Sequence, residues 1–174
     1  LLKMGVDLDE VGQLEKLAEK AHQDARESLE LLHHYNADGN FFPHLQECLE
    51  HLKQAANIDF HLDIPTAELS MPSLVEIELL HICQEALTNI RKHSGAHNVY
   101  VKLSLVNNHL ELGIADDGCG FDAVAHYRDG RLANGHGLAV MKERADSIGG
   151  RFEVLSLPGQ GTEVRVEVPL APHR

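Results

Sequence analysis

From residue 11 onward, apolar and small side chains return at alternating spacings of three and four: Val11, Leu14, Ala18, Ala21, Ala25, Ser28, Leu32 and Tyr35. That period predicts one face of a long helix. Small residues dominate the middle of the stripe, so a partner helix can approach closely, while Glu15, Glu19, Asp24 and Glu27 face water beside Lys16, Lys20 and Arg26. Such a stripe serves either a helix packed on its own domain or half of an intermolecular helical bundle. Asn36, Asp38 and Gly39 supply turn chemistry that ends the helix, which divides the chain into residues 1–40 and 41–174.

Past that boundary the period switches repeatedly. Leu45, Cys48, Leu49, Leu52 and Ala56 share a helical face between His44 and Ala56. A strand follows, in which Ile58, Phe60, Leu62 and Ile64 alternate with Asp59, His61 and Asp63 until Pro65 stops the ladder. The next helix is expected from Pro72, at a first-turn position, to His93. Val99 to Val106 and Leu110 to Ile114 read as a hairpin around Asn107-Asn108, residues that tolerate left-handed backbone, and the second strand delivers Asp116 at its end. A loop from Asp122 to Asn134 leads to a helix with Leu138, Met141, Ala145 and Ile148 as its buried stripe, stopped by Gly149-Gly150. The strands Arg151 to Ser156 and Glu163 to Val168, joined by Pro158-Gly159-Gln160-Gly161, close the pattern with Val164, Val166 and Val168 facing inward.

Composition narrows the function. The chain has 174 residues, 43% of them apolar, enough for one ordinary domain plus an appendage. Its net charge of -12, with no clustering of the cations, disfavours a nucleic-acid surface. Cys48, Cys83 and Cys119 are odd in number and show no Cys-x-x-Cys spacing, so neither a disulfide framework nor a zinc site is indicated, and a reducing cytoplasm fits. There is no apolar run near the about 20 residues that span a bilayer, so membrane attachment is expected only through regions outside this chain. The opening Leu1-Leu2-Lys3 has no initiator Met, as expected of a piece of something longer.

Three patches carry chemistry. In Gln84-Glu85-Ala86-Leu87-Thr88-Asn89, residues four apart share a helix face, so His81, Glu85 and Asn89 form a polar row that Lys92 and His93 extend. Val75, Leu79, Ile82, Ala86 and Ile90 make the rest of this helix strongly apolar, so the row needs a destination beyond ordinary solvation. The amide oxygen of Asn89 can complete an octahedral Mg²⁺ shell of phosphate oxygens and water, Glu85 can orient or deprotonate a nucleophile, and Lys92 can reach a phosphate. In Asp116-Asp117-Gly118-Cys119-Gly120 the first Asp projects from a strand end and can accept a hydrogen bond from the exocyclic amine of adenine, where guanine offers a carbonyl. An ordinary Asp-Gly turn is the competing reading. Gly135-His136-Gly137-Leu138 opens a helix whose unpaired amides suit phosphate, but it lacks the further residues of a Rossmann fingerprint or a P-loop.

Taken together, these patches resemble the catalytic ATP-binding domain of bacterial sensor histidine kinases, within the superfamily that joins gyrase, heat-shock chaperone ATPases, histidine kinases and MutL. Gln84 to Asn89 with Lys92-His93-Ser94 resembles the N box, and Asp116-x-Gly118-x-Gly120-Phe121 the first glycine box. Gly135-x-Gly137-Leu138-x-x-Met141-x-Glu143-Arg144 resembles the second, and Gly161-Thr162 the closing motif. The likeness runs from about residue 72 to 169, and Gln-Glu-Ala-Leu-Thr-Asn is similar to the nitrate-sensor-like branch. The resemblance implies an α+β fold, a two-layer α/β sandwich of the Bergerat type with helices on one face of a mixed sheet, preceded by the long helix. It implies ATP and Mg²⁺ as cofactors, Asn89 as the metal ligand, and Asp116 on the adenine amine with Thr162 helping through water. Gly118 and Gly120 would shape the adenine loop, Gly135, His136, Gly137 and Leu138 would border the triphosphate, and residues 122–134 would form a lid. Glu85, Asn89 and Lys92 are the implied catalytic group, the role of Glu85 differing among members.

One departure concerns the acceptor. Kinases of this branch carry a phosphoacceptor His in an Arg-x-x-x-Glu-Leu-His-Asp helix, and none of the 13 histidines here fits that run. The opening helix instead resembles the second helix of the dimerisation hairpin; His33-His34 reads as exposed polar residues at a helix end, and Ser94-Gly95 separates His93 from His97. The implied function is transfer of the ATP γ-phosphoryl to a histidine absent from this chain, then to a response regulator, with a homodimeric parent. Two alternatives stand beside it: a serine kinase of the anti-sigma type, and a nucleotide switch without turnover.

Overall fold

The computed structural model describes residues 41–43, 45, 46, 49, 50, 58–65, 71–128 and 136–170. The predicted helix over residues 11–35, His33, His34, Cys48 and Gly135 therefore lie outside the described residues, as do the side chains of 126–128 and of His136. Residues 41–43, 45, 46, 49 and 50 are helical, so the helix expected from His44 already includes Phe41; Phe41, Leu45 and Leu49 are buried.

Five strands build one mixed sheet. They are β1 (Asp59–Asp63), β2 (Asn98–Val106), β3 (His109–Asp116), β4 (Arg151–Ser156) and β5 (Thr162–Pro169). Their spatial order is β1-β2-β3-β5-β4, with β1 parallel to β2 and the other pairs antiparallel. The β2–β3 turn places Asn107 at φ 50° and Asn108 at φ 65°, the left-handed pair that a tight hairpin with native twist demands. Val99, Val101, Leu103, Leu110, Leu112, Ile114, Val154, Val164, Val166 and Val168 are buried on one face of the sheet. Leu62 departs from the expected inward alternation: it is 43% exposed, because β1 is an edge strand with a neighbour on one side only.

Beyond the helical residues from Phe41, the described residues hold the helices α1 (Ser73–Asn89), α2 (Ala123–Arg128) and α3 (His136–Ser147). α1 buries Val75, Leu79, Ile82, Cys83, Ala86 and Leu87, and packs on α3 and β3, while α3 contributes Met141 and Ala145 and packs on β4. Truncating a core residue such as Leu79, fully buried here, to Ala costs about 2–5 kcal/mol in cores of this kind.

Two local differences from the sequence reading have clear causes. Pro72 caps α1 from outside with extended backbone (ψ 139°), and the helix expected to reach His93 gives way after Asn89 to a π-helical turn, Ile90–Ser94. That turn is stabilised where Ser94 Oγ donates to Ile90 O and accepts from Ala96 N, and Gly95 ends it at φ 61°. Within the expected loop 122–134, Asp122 Oδ1 accepts a hydrogen bond from Ala125 N, which starts the short helix α2, too brief to show a period.

Candidate functional site

The four motifs, spread from Gln84 to Thr162, meet at glycines that leave no room for a side chain. A β-carbon on Gly137 would overlap Glu85 Oε1 and stand 3.2 Å from Asn89 Nδ2, so the helix start of α3 lies directly on the polar row of α1. A β-carbon on Gly118 would overlap Ser94 O and come within 2.7 Å of Asp116 Oδ1. One on Gly161 would overlap Asp116 O, and Gly161 also needs a φ of 74°. A β-carbon on Gly120, which is at φ 56°, would overlap Leu157 O and stand 2.6 Å from Gly161 O. Each glycine therefore allows a close approach between two different motifs.

Asp116 ends β3 and is 8% exposed. Its Oδ1 accepts from Gly118 N at 2.8 Å, and its register partner on β5 is Thr162. Burial pushes the Asp116 carboxyl above its ordinary value, with the neighbouring Asp117 charge adding to this, while hydrogen bonds from the Gly118 and Thr162 backbones oppose it. The carboxylate is thus held by donors along one side yet short of favourable charge, which suits an incoming neutral amine.

Asp117 does different work. It is exposed, and its carboxylate accepts from His97 N (2.8 Å), Asn98 N (2.9 Å) and Asn98 Nδ2 (2.8 Å). Those bonds, the one from the Asn98 backbone first, hold its pKa down at about 2. It latches the start of β2 to the end of β3, and the adjoining loop is fixed by Cys119 N donating to Ser94 O at 2.8 Å and Gly159 N to Cys119 O at 2.6 Å. Cys119 is exposed and Cys83 buried, and both are free thiols.

Of the other expected site residues, Glu85 and Asn89 are half-buried at the end of α1, Leu138 is half-buried in the first turn of α3, and Thr162 is half-buried at the start of β5. Lys92 is exposed in the π turn. His136 is the first residue of α3, whose twelve residues present a helix N-terminus beside Glu85 and Asn89. His81 leaves the expected polar row: Arg144 Nη1 donates to its Nδ1 and to Glu78 Oε2, both at 2.8 Å, so it serves the α1–α3 interface. Burial, then the Arg144 charge, lowers the His81 pKa and keeps the ring neutral against Glu78, which pulls the other way.

Sequence reasoning did not single out Ser156. Its Oγ accepts from Phe121 N (2.9 Å), donates to Gly161 O (2.9 Å) and lies 3.0 Å from Thr162 Oγ1. A Ser five residues before Gly161-Thr162 carries no pattern of its own; only the β4–β5 pairing reveals it.

Oxygen donors from Asn89 and Glu85 beside a helix N-terminus fit a hard divalent cation shared with phosphate. A separate cavity of about 520 Å³ lies on the outer face of the sheet, lined by Tyr100, Lys102, Glu111, Gly113, Glu153 and Arg165 among others. Its Arg165 is already held by Glu163, Nε to Oε1 at 2.6 Å and Nη2 to Oε2 at 2.8 Å, and none of the described motif residues lines it.

The profile of the family described as histidine kinase-, DNA gyrase B-, and HSP90-like ATPase matches residues 74–172, the stretch that holds all four motifs. The chain belongs to this ATPase family. Its relatives include the sensor histidine kinase LiaS of Bacillus subtilis, 36% identical over 163 residues, 93% of this chain and 43% of LiaS. The sensor protein VraS of Staphylococcus aureus is 38% identical over 103 residues, 59% of this chain and 28% of VraS. The chain thus spans less than half the length of these relatives. The histidine kinase domain of the Erythrobacter litoralis EL346 blue-light activated histidine kinase superposes with a TM-score of 0.67 at 19% identity, covering 85% of this chain and 74% of that domain. The mycobacterial sensor histidine kinase MprB gives 0.59 at 24% identity, covering 76% of this chain and 95% of that one. These superpositions establish the α+β sandwich of the ATPase family as the fold.

Proposed function

We propose that this ATPase-family domain is the catalytic part of a two-component sensor histidine kinase, which binds Mg²⁺-ATP and transfers the γ-phosphoryl to a histidine supplied by another helix. The observation that carries the reading is the convergence of Glu85 and Asn89 with Gly137, Ser94 with Gly118, and Asp116 with Gly161. Asp116 would accept from the adenine amine, with Gly118 and Gly120 holding its loop. The α3 N-terminus, with Gly135, His136, Gly137 and Leu138, would border the phosphates, and Lys92 would reach them from the π turn.

Asn89 would hold the Mg²⁺, with Glu85 beside it; the cation's part is to neutralise charge on the β- and γ-phosphates. The chain's own contribution is positioning. Glu85 would orient the attacking imidazole or its proton, and the segment 122–134 would exclude water. Residues 1–40 would belong to the dimerisation region, which the match to LiaS over 93% of the chain supports, since it reaches well beyond residues 74–172. The whole protein would act as a homodimer and pass the phosphoryl group to a response regulator aspartate. No helix among the described residues is long and apolar enough to cross a membrane; the domain would work in the cytoplasm, with any anchor elsewhere.

The test mixes this chain with a separate peptide carrying an acceptor-histidine helix and γ-labelled ATP. Acid-labile phosphohistidine on the peptide is expected. Labelling of serine on a partner, or none of the peptide while Mg²⁺-ATP binds, would contradict the kinase assignment.

A further inference from the structure

Asp116, Thr162 and Ser156 form one row across three adjacent strands, Asp116 opposite Thr162 on β3–β5 and Thr162 opposite Ser156 on β5–β4. The hydroxyl of Ser156 has a single proton and two lone pairs. Gly161 O lies 2.9 Å from it and, being a carbonyl, can only accept, so the Ser156 proton goes there. Phe121 N takes one lone pair at 2.9 Å. The remaining partner, Thr162 Oγ1 at 3.0 Å, must then be the donor, for otherwise two oxygens would face each other with no proton between them. Thr162 is left with lone pairs only to offer toward Asp116, itself an ionised acceptor.

We infer that Ser156 is a positioning residue for base specificity: by taking the Thr162 proton it makes the base end of the site acceptor-only, matched to a six-amino purine and mismatched to a six-keto one. The inference rests on the proposed ATP site and adds to it a residue that touches no nucleotide. Adenine presents an amine donor at its six-position, and a water held by Thr162 would donate both to Thr162 Oγ1 and to the ring nitrogen beside that amine. Guanine presents a carbonyl at the same place, which would meet two acceptors. In Ser156→Ala the Thr162 hydroxyl is released and can donate to that carbonyl.

Calorimetric affinities of this chain for ATP and GTP, each with Mg²⁺, test this. Ser156→Ala is expected to weaken ATP about tenfold, the scale of one hydrogen bond lost, and to strengthen GTP, narrowing the ATP:GTP ratio. Ser156→Thr, which keeps the hydroxyl, should restore the ratio. A loss of rigidity alone would weaken both nucleotides together and leave the ratio as in wild type, which would overturn the inference. Should Ser156→Ala fail to fold, Thr162→Val decides: it keeps the ties of Ser156 to Phe121 and Gly161, removes one of the two acceptors, and must weaken ATP without weakening GTP, equal loss of both counting against the inference. Absence of ATP binding by wild type would instead overturn the nucleotide site itself, and this inference with it.

Discussion

Gly137 stands so close to Glu85 that a β-carbon on the glycine would overlap the carboxylate oxygen Oε1. The third motif is thereby pressed onto the first without an intervening side chain. In Gly137→Ala the added methyl favours the helix by about 1 kcal/mol, while the clash falls on the flexible end of Glu85. The variant should keep its unfolding midpoint within a few degrees of wild type and lose phosphoryl transfer, read as labelled acceptor peptide. Unchanged transfer would show that the position of Glu85 does not matter.

Asp116→Asn should separate binding from folding. Burial raises the Asp116 pKa, so its charged form disfavours the empty fold, and the stability it takes away grows as pH rises through that raised value. The amide should leave the ATP-free domain at least as stable, yet remove the ATP-induced thermal shift, which for wild type at a hundredfold excess over Kd corresponds to about 2.7 kcal/mol. In wild type, ATP affinity should begin to fall on acidification at a pH above the ordinary carboxylate range, because protonation removes an acceptor.

The Asp117 latch predicts an acid limb of the stability curve. A carboxyl held at about 2 in the fold, against an ordinary 3.8, contributes stability that is complete above the unfolded value and is lost as pH falls from about 4 toward 2. Urea unfolding should show Asp117→Ala less stable than wild type at neutral pH, with the two curves converging over that interval. A gap independent of pH would show that the carboxylate's charge is not what latches β2 to β3.

Arg144 ties α3 to α1 through Glu78 and His81. Arg144→Ala leaves a half-buried carboxylate without its charged donor and should cost roughly 1–3 kcal/mol in urea unfolding. It also removes one of the two influences that lower the His81 pKa, so the ring should titrate at higher pH by NMR. In wild type, a lowered His81 pKa means that stability declines as pH falls below the ring's ordinary value of 6.5, since the unfolded chain takes up the proton first.

The hydrophobic periods fixed most of this architecture in advance because β2, β3 and β5 each bury one face, so that alternation survives in Val99-Val101-Leu103 and Val164-Val166-Val168. Asn107-Asn108 likewise announced a hairpin through backbone tolerance alone. The elements that escaped notice are set by single hydrogen bonds instead of periods: Asp122 starts α2, and Ser94 draws the end of α1 into a π turn. The same holds within the site. Asp116 and Asn89 belong to recognisable local strings, whereas Ser156, Asp117 and the Glu78–His81–Arg144 cluster draw their roles from partners at least five, and as many as 66, residues away.

The most direct measurement is calorimetric titration of this chain with ATP and Mg²⁺, repeated with ADP present and with Asp116→Asn. A saturable heat that ADP competes away and the variant abolishes is predicted. No heat at millimolar ATP and Mg²⁺, or binding that the variant leaves intact, would contradict the nucleotide site on which the kinase reading stands.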